Sequence, residues 1–516
     1  MDLSYFNPRA QGEADFLANF VARQQTLEFF LRQLSLLPAE QPARHFLLVA
    51  ARGYGKTSLL RRIAIAVREE AELRRRFIAL SFREEQHNVI SLDVFWRNCL
   101  QSLLEAREDE KAPASEINAL DQAWEAHPPR QGIGREDQDG APAHEVFRAH
   151  CDRLQRRPLL LIDNLDALLA GLATVHQWAL RRVLQADCGP VLIAAAARYP
   201  DSTHDPQAAF YDFFRVHPLD RLSDAEVTHC LRALAARRGD PGRVVPELID
   251  RDPGRVSALN TLSGGNPRTL NVLYSVLESH LSSDILSQLS AMLDTFTGWY
   301  QARVEELPLQ GRAVFDALAL NWDPVTAATV GEITGLDTAA VSSQLSRLEK
   351  AGYVETVALN RLGKGRNGYQ VSERFFNIWY LMRNGPRRLQ QKVRFLTVFL
   401  QSCFPAPERQ VIAQRALADD TLDPGYALAL ASSLPGGTLR DGLLQKAQRR
   451  ATSLGIGDDY SAAITALRSA HGVRATELDN ALPTAALAAF DRLEDLDRMI
   501  ARYGDAEEPA LRERVA

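Results

Sequence analysis

The stretch from His45 to Thr57, HFLLVAARGYGKT, limits what this chain can fold into more than any other segment. It opens with a continuous apolar run, the pattern of a strand buried on both faces. A glycine-rich turn follows, and Lys56 and Thr57 then open the helical sequence TSLLRRIAIAVREEAELRRR. Gly53 and Gly55 let the backbone curl so that its N–H groups face a bound anion. The helix start adds partial positive charge. Lys56 supplies a point charge for the β- and γ-phosphates, and the Thr57 hydroxyl is a hard oxygen donor suited to Mg²⁺. Strand, turn and helix together predict a cradle for ATP or ADP with Mg²⁺, with Gly53, Tyr54, Gly55, Lys56, Thr57 and Ser58 around the nucleotide.

This is the P-loop pattern with one departure, because Ala50 stands where the usual first glycine would be. A partner motif follows in PLLLIDNLD, an apolar run ending in Asp163. A carboxylate at the end of a buried strand beside the loop would hold Mg²⁺ together with Thr57. The next residue is Asn164, an amide with no basicity, where a hydrolysing ATPase would place a water-orienting glutamate. Asp166, or Glu84 and Glu85 after the second strand, would be the substitutes. Without one of them the chemistry would be slow.

Around these motifs apolar runs alternate with helical patterns: RFIALSF, PLLLIDN, GPVLIAAAAR and RVHPL read as further strands. The alternation predicts an α/β P-loop NTPase, a parallel sheet with helices on both faces, over residues 1–221. Residues 106–143 are polar and rich in Pro, Gly and charge, and are expected to form a partly disordered surface insertion. A helical lid is expected over 222–305, a helix–helix–helix–hairpin segment over 306–383, and helices over 384–516. Composition narrows the setting. The net charge of −5 gives no global field for nucleic acid. The five cysteines are scattered without a CxxC pair, which argues against a disulfide framework or zinc site. No apolar run is long enough to span a bilayer and the N-terminus lacks a signal-peptide core, so a cytoplasmic location without membrane contact is expected.

With these motifs in order, residues from about Phe20 to Arg383 resemble the AAA+-related STAND class, signal-transducing ATPases with numerous domains. FVARQQTLEFFLRQL is similar to that family's opening motif, which implies Arg23 near the nucleotide. AAARYP is similar to its sensor strand and implies Arg198 as a γ-phosphate reader, a task suited to the planar guanidinium fork. SGGNPRTLNVLY resembles its Gly-x-Pro element, which implies Pro267 near adenine and Arg268 as a second sensor. From the residues alone, GGNP is a turn followed by a helix starting near Pro267. No separate arginine finger stands out among Arg181, Arg182 and Arg221.

Residues 306–383 resemble a winged helix domain. DTAAVSSQLSRLEKAG reads as its recognition-type helix, capped by Asp337, and NRLGKGRN as its wing. If DNA is bound, Ser342, Ser343, Gln344 and Arg347 would face the major groove and Arg361, Lys364 and Arg366 the phosphates. The alternative is an intramolecular, regulatory role. Arg383, Arg387, Arg388, Lys392 and Arg394 form a local basic run, and Phe375, Phe376, Trp379 and Tyr380 at helical spacing read as core. The last helices resemble a tetratricopeptide-like hairpin, an interaction surface for a protein partner.

The expected function is a STAND-like ATP/ADP switch with partner sensing and with nucleotide-dependent oligomerisation open to it. The competing readings are a DNA-binding AAA+ loader or transcription regulator, and a nucleotide-stabilised scaffold without turnover. A small-molecule kinase is remote, because no acceptor-site motif is visible.

Overall fold

The computed structural model describes residues 11–38, 40–82, 89–128, 140–197, 206–278, 285–321, 323–358 and 367–384. From 393 to 465 it describes all but 394, 395, 398, 402, 403, 458, 459 and 462. Glu84, Glu85, Arg198, Arg361, Lys364, Arg366, Arg387, Arg388, Lys392, Arg394 and the tetratricopeptide-like segment after 465 lie outside the described residues. The chain divides into two compact units, Met1–Arg221 and Leu222–Ala516. Among the described residues no helix is long and apolar enough to cross a membrane.

The first unit runs α1 (Glu13–Asn19), α2 (Gln24–Leu36), β1 (His45–Val49), α3 (Lys56–Glu69), α4 (Ala71–Arg76) and β2 (Phe77–Ser81). It continues with α5 (Leu92–Asp109), α6 (Ala114–Glu125), α7 (Ala141–Leu154) and β3 (Arg157–Ile162). It closes with α8 (Leu165–Gly171), α9 (Thr174–Leu184), β4 (Val191–Ala196) and β5 (Phe214–Pro218). The strands form one parallel sheet in the order β2-β3-β4-β1-β5. Alternate residues feed opposite cores, as the period of a strand requires. Leu47, Val49, Leu160 and Ile162 pack with α5, α7, α8 and α9. Phe46, Leu48, Leu159 and Leu161 pack with α1 to α4. Both faces are therefore covered, as the unbroken apolar runs predicted.

The polar stretch expected as a partly disordered insertion is ordered over much of its length. Its α6 lays Leu120 into the core, and the Arg97 guanidinium stacks 3.6 Å from the centroid of the Trp124 ring. Residues 129–139 of that stretch lie outside the described residues.

His45, the first residue of β1, is buried and stacks on Phe213 with ring centroids 4.7 Å apart. Its Nδ1 accepts from the Leu192 N–H at 3.1 Å, which leaves Nε2 to donate to the Leu184 carbonyl at 3.2 Å. This geometry selects the neutral tautomer. Burial lowers the imidazole pKa from 6.5 to about 4, against the raising effect of the Leu184 bond and with Arg157 adding to the decrease. The folded pKa is below the unfolded one, so the stabilisation is fully present above pH 6.5 and is lost as pH falls towards 4. The expected loss is about 3 kcal/mol. Urea unfolding of the first unit should show that extra loss in the wild type but not in His45→Gln, whose amide can keep both bonds. Equal pH dependence in the two proteins would refute the assignment.

The second unit begins with α10 (Asp224–Arg238), α11 (Val244–Arg251), α12 (Gly254–Ser263), α13 (Pro267–Glu278) and α14 (Ile285–Glu305). Next come α15 (Leu309–Ala319), α16 (Ala327–Thr334), α17 (Thr338–Lys350), the antiparallel pair β6 (Val354–Ala358) and β7 (Asn367–Val371), and α18 (Arg374–Asn384). α19 (Ala406–Ala418), α20 (Pro424–Ser432) and α21 (Thr438–Ser453) follow. Ser223 and Glu226 form a reciprocal capping box at the start of α10.

Helices α13 and α14 and the residue before α18 share a buried polar knot. Glu373 accepts from Thr269 Oγ1 at 2.6 Å, from Tyr300 OH at 2.5 Å and from Arg303 Nη1 at 2.7 Å. Arg303 and Glu373 are 1% and 2% exposed, so neither charge is solvated and each depends on the other. Tyr353 OH donates to the Arg303 carbonyl, and Phe376 stacks on Tyr300 with centroids 4.4 Å apart. Gly264, in the left-handed region at φ 61°, lets the SGGNP turn approach this knot. A Cβ there would lie 2.9 Å from the Glu373 Cα. A second buried pair joins Arg255 on α12 to both Glu408 oxygens on α19 at 2.9 Å. Phe375, Phe376, Trp379 and Tyr380 are all buried.

Candidate nucleotide site

The P-loop hangs between the C-terminal end of β1 and the first turn of α3, the end of a parallel sheet where ligands bind. Within it the positive φ values fall on Gly53 (87°) and Gly55 (89°), not on Ala50. The departure at Ala50 therefore carries no backbone strain, because the loop needs glycine only at the two later positions. Ala50 itself is buried in the core on the α3 face. Lys56 is 7% exposed, and its Nζ donates to the carbonyls of Ala50 at 2.7 Å and Ala51 at 3.1 Å. The lysine is thus tethered across the mouth of its own loop, a role for these two carbonyls that the sequence reading did not assign.

Asp163 lies just past the end of β3, a strand separated from β1 by β4. Its Oδ2 accepts a hydrogen bond from Thr57 Oγ1, and its Oδ1 accepts from the Asn164 N–H at 2.9 Å. The two proposed Mg²⁺ donors, far apart in sequence, are in direct contact. A hydroxyl and one carboxylate fit Mg²⁺, which takes few protein oxygens and completes its octahedron with phosphate and water. Among the described residues no group of three or more His, Cys, Asp or Glu side chains is placed to hold a metal by itself. From this pair a groove of about 470 Å³ extends along α3 and the edge strand β2, past Arg61, Ser81 and Glu105.

Asn164 has φ 51° and ψ 45° and stands at the N-cap position of α8. Asn tolerates that left-handed backbone better than most residues, which gives it a structural reason to be there. Asp166 is half-buried in the first turn of α8. Tyr54 contributes its ring to the hydrophobic core, and Ser58 is half-buried in the first turn of α3. Arg23 also has a positive φ (68°) and is buried, and its guanidinium donates to the Asp220 carbonyl. It ties α2 to the segment after β5.

The remaining candidates belong to the second unit. Pro267 opens α13, as the GGNP turn predicted. The Arg268 guanidinium lies 5.4 Å from the centre of the Trp299 ring. On α17, Asp337 caps the helix by accepting from the Ala340 N–H at 2.8 Å. Ser342, Ser343 and Arg347 are exposed there. Gln344 is not, since it is buried and donates to Gln310 Oε1 at 3.4 Å. The expectation that Gln344 faces a DNA groove is therefore corrected: it lies on the same stripe as Val341, Leu345 and Leu348, which pack inward.

A parallel sheet with β4 between the loop strand and the Asp163 strand, a tethered Lys56 and a Thr57–Asp163 contact define a nucleotide-binding P-loop ATPase core. Residues 19–194 match the family model described as the AAA ATPase domain, so the first unit carries a domain of that kind. No curated protein matches the chain. Among solved structures it is similar to the ORC1 protein of Aeropyrum pernix in complex with DNA, at 15% identity and a TM-score of 0.36 over 70% of this chain and 92% of that one. The CDC6P protein of Pyrobaculum aerophilum gives 15% and 0.35 over 74% and 99%. The RuvB Holliday junction branch migration motor of Thermotoga maritima gives 16% and 0.30 over 70% and 93%.

Proposed function

We propose that this chain is a STAND-like nucleotide switch that binds ATP and ADP with Mg²⁺ in its first unit and turns ATP over slowly. The observation that carries the reading is the Thr57–Asp163 bond beside the tethered Lys56, with an amide rather than a carboxylate at the next position. Lys56 would exchange its two carbonyl partners for phosphate oxygens. Thr57 and Asp163 would hold Mg²⁺, which neutralises charge on the phosphates when bound. Asn164 cannot accept a proton from water, and Asp166 is the nearest described carboxylate in sequence that could. Arg198 is the proposed γ-phosphate reader, and Arg23 is proposed to lie near the nucleotide, on the strength of the family resemblance. The helices after 384 are the proposed surface for a protein partner, with α15 to α17 and the β6–β7 pair acting as a regulatory winged helix.

A DNA-binding reading has less support. With Gln344 buried, Arg347 is the one side chain named on α17 that could read a base in a bidentate manner.

The test is to release and identify the nucleotide that copurifies with the chain and to follow phosphate release under saturating Mg-ATP. Bound ADP with turnover far below the usual enzyme median of about 10 per second supports the switch. Turnover at or above that rate would overturn it, and so would failure to bind Mg-nucleotide at all.

A further inference from the structure

A cavity of about 630 Å³ opens at the end of the first unit's sheet opposite the nucleotide loop. Phe77 and Arg157, the first residues of β2 and β3, and Pro190, just before β4, lie on its wall. Its size is that of a small-molecule site, and Phe147, Pro158 and Val183 give it apolar walls.

Arginines surround it. Three of them are answered by carboxylates: Arg75 by Glu72, Arg156 by Glu110 at 2.7 Å and Arg148 by Asp152 at 3.9 Å. Among the described residues, Arg76, Arg157 and Arg182 have no carboxylate partner. Arg76 donates to the carbonyls of Ser35 and Leu37, and Arg157 to those of Gly189 at 2.6 Å and Gln41 at 3.0 Å. The Arg157 Nη2 remains buried without an acceptor. Burial lowers the Arg157 pKa and the Arg76 charge lowers it further, while Cys188 works the other way. Arg76 and Arg182 sit in the last turns of α4 and α9, where a cation suits the helix end. That accounts for those two and not for Arg157, which belongs to a strand.

We propose that this cavity binds a small organic oxyanion, an apolar body bearing a phosphate or carboxylate, with Arg157, Arg76 and Arg182 taking its charge. The guanidinium fork matches either group in the bidentate manner. The site is separate from the nucleotide loop and would let a second ligand act on the same sheet.

The cavity carries its own reporter. Cys188, on its wall, is an exposed cysteine outside any disulfide. Cys151, also on the wall, is buried, and burial pushes its pKa up to about 12, so it stays unreactive. The experiment follows N-ethylmaleimide labelling of Cys188 by peptide mass mapping in the full chain with Mg-ADP present. Phenyl phosphate and benzoate are the two probes and inorganic phosphate is the control. The reporter is at the far end of the sheet from the P-loop, so the result does not depend on the proposed switch.

Phenyl phosphate or benzoate is expected to slow labelling by about tenfold at about ten times its Kd. The better protector identifies the anion class. Arg182→Glu, an exposed change, and Arg157→Gln should each weaken protection several-fold. The proposal fails if neither probe protects or if inorganic phosphate protects equally. It also fails if Arg182→Glu leaves protection unchanged.

Discussion

Lys56→Ala is expected to weaken Mg-ATP binding by roughly 100-fold, about 3 kcal/mol, the scale of a charge-assisted contact removed from a site that excludes water. The loss has two sources. The ammonium that would meet the β- and γ-phosphates disappears. The carbonyls of Ala50 and Ala51 also lose the donor that tethers the loop, so the empty loop is less well held. Titration with a fluorescent ATP analogue measures the first effect. Hydrogen exchange at the amides of 50–56 measures the second. Thr57→Ala should separate the metal from the phosphate contribution: nucleotide binding should fall mainly when Mg²⁺ is present. An unchanged affinity in Lys56→Ala would remove the basis for the nucleotide site, whatever the turnover.

The second large effect belongs to the other unit. Glu373→Ala should destabilise it by about 3–5 kcal/mol, because Arg303 would be left charged and buried without a partner. Burial opposes the charged form of Arg303, and the neighbouring Glu373 overrides this, so the guanidinium stays ionised in the fold. Truncating both partners, in Glu373→Ala with Arg303→Met, should cost less than Glu373→Ala alone. The orphan charge, rather than the lost bond, dominates the single change. Denaturant unfolding resolves the two cases. If Glu373→Ala cost under about 1 kcal/mol, or if the double change were additive, the knot would be a surface-like pair of little consequence.

The parts that could be read from sequence were those with a local physical signature. The strands appeared as unbroken apolar runs because both faces of the sheet are covered, and the P-loop because its glycines, Lys56 and Thr57 are contiguous. Asp163 could be named because an acid ending such a run is conspicuous. α6 was missed, although Ile117, Leu120 and Trp124 recur at helical spacing on one side of it. The Pro, Gly and charge clusters flanking it outweighed that weak stripe. Gln344 was put on the wrong face of α17, yet its spacing from Val341 and Leu348 already places it with the core residues. Glu373 gave no local signal at all. Its partners are 70 to 104 positions away, and only the packed unit brings them together. The tether on Lys56 was equally invisible, since it uses backbone carbonyls that any residue would supply.

The Arg303–Glu373 knot also bears on how the chain can be cut. A fragment ending between them would expose a guanidinium core on one piece and a carboxylate on the other, each flanked by aromatic rings that would then meet water. Such pieces should be insoluble or recombine when mixed. Pieces nicked between Thr269, Arg303 and Glu373 should accordingly stay associated after limited proteolysis, and expression boundaries for the second unit should keep all three on the same polypeptide.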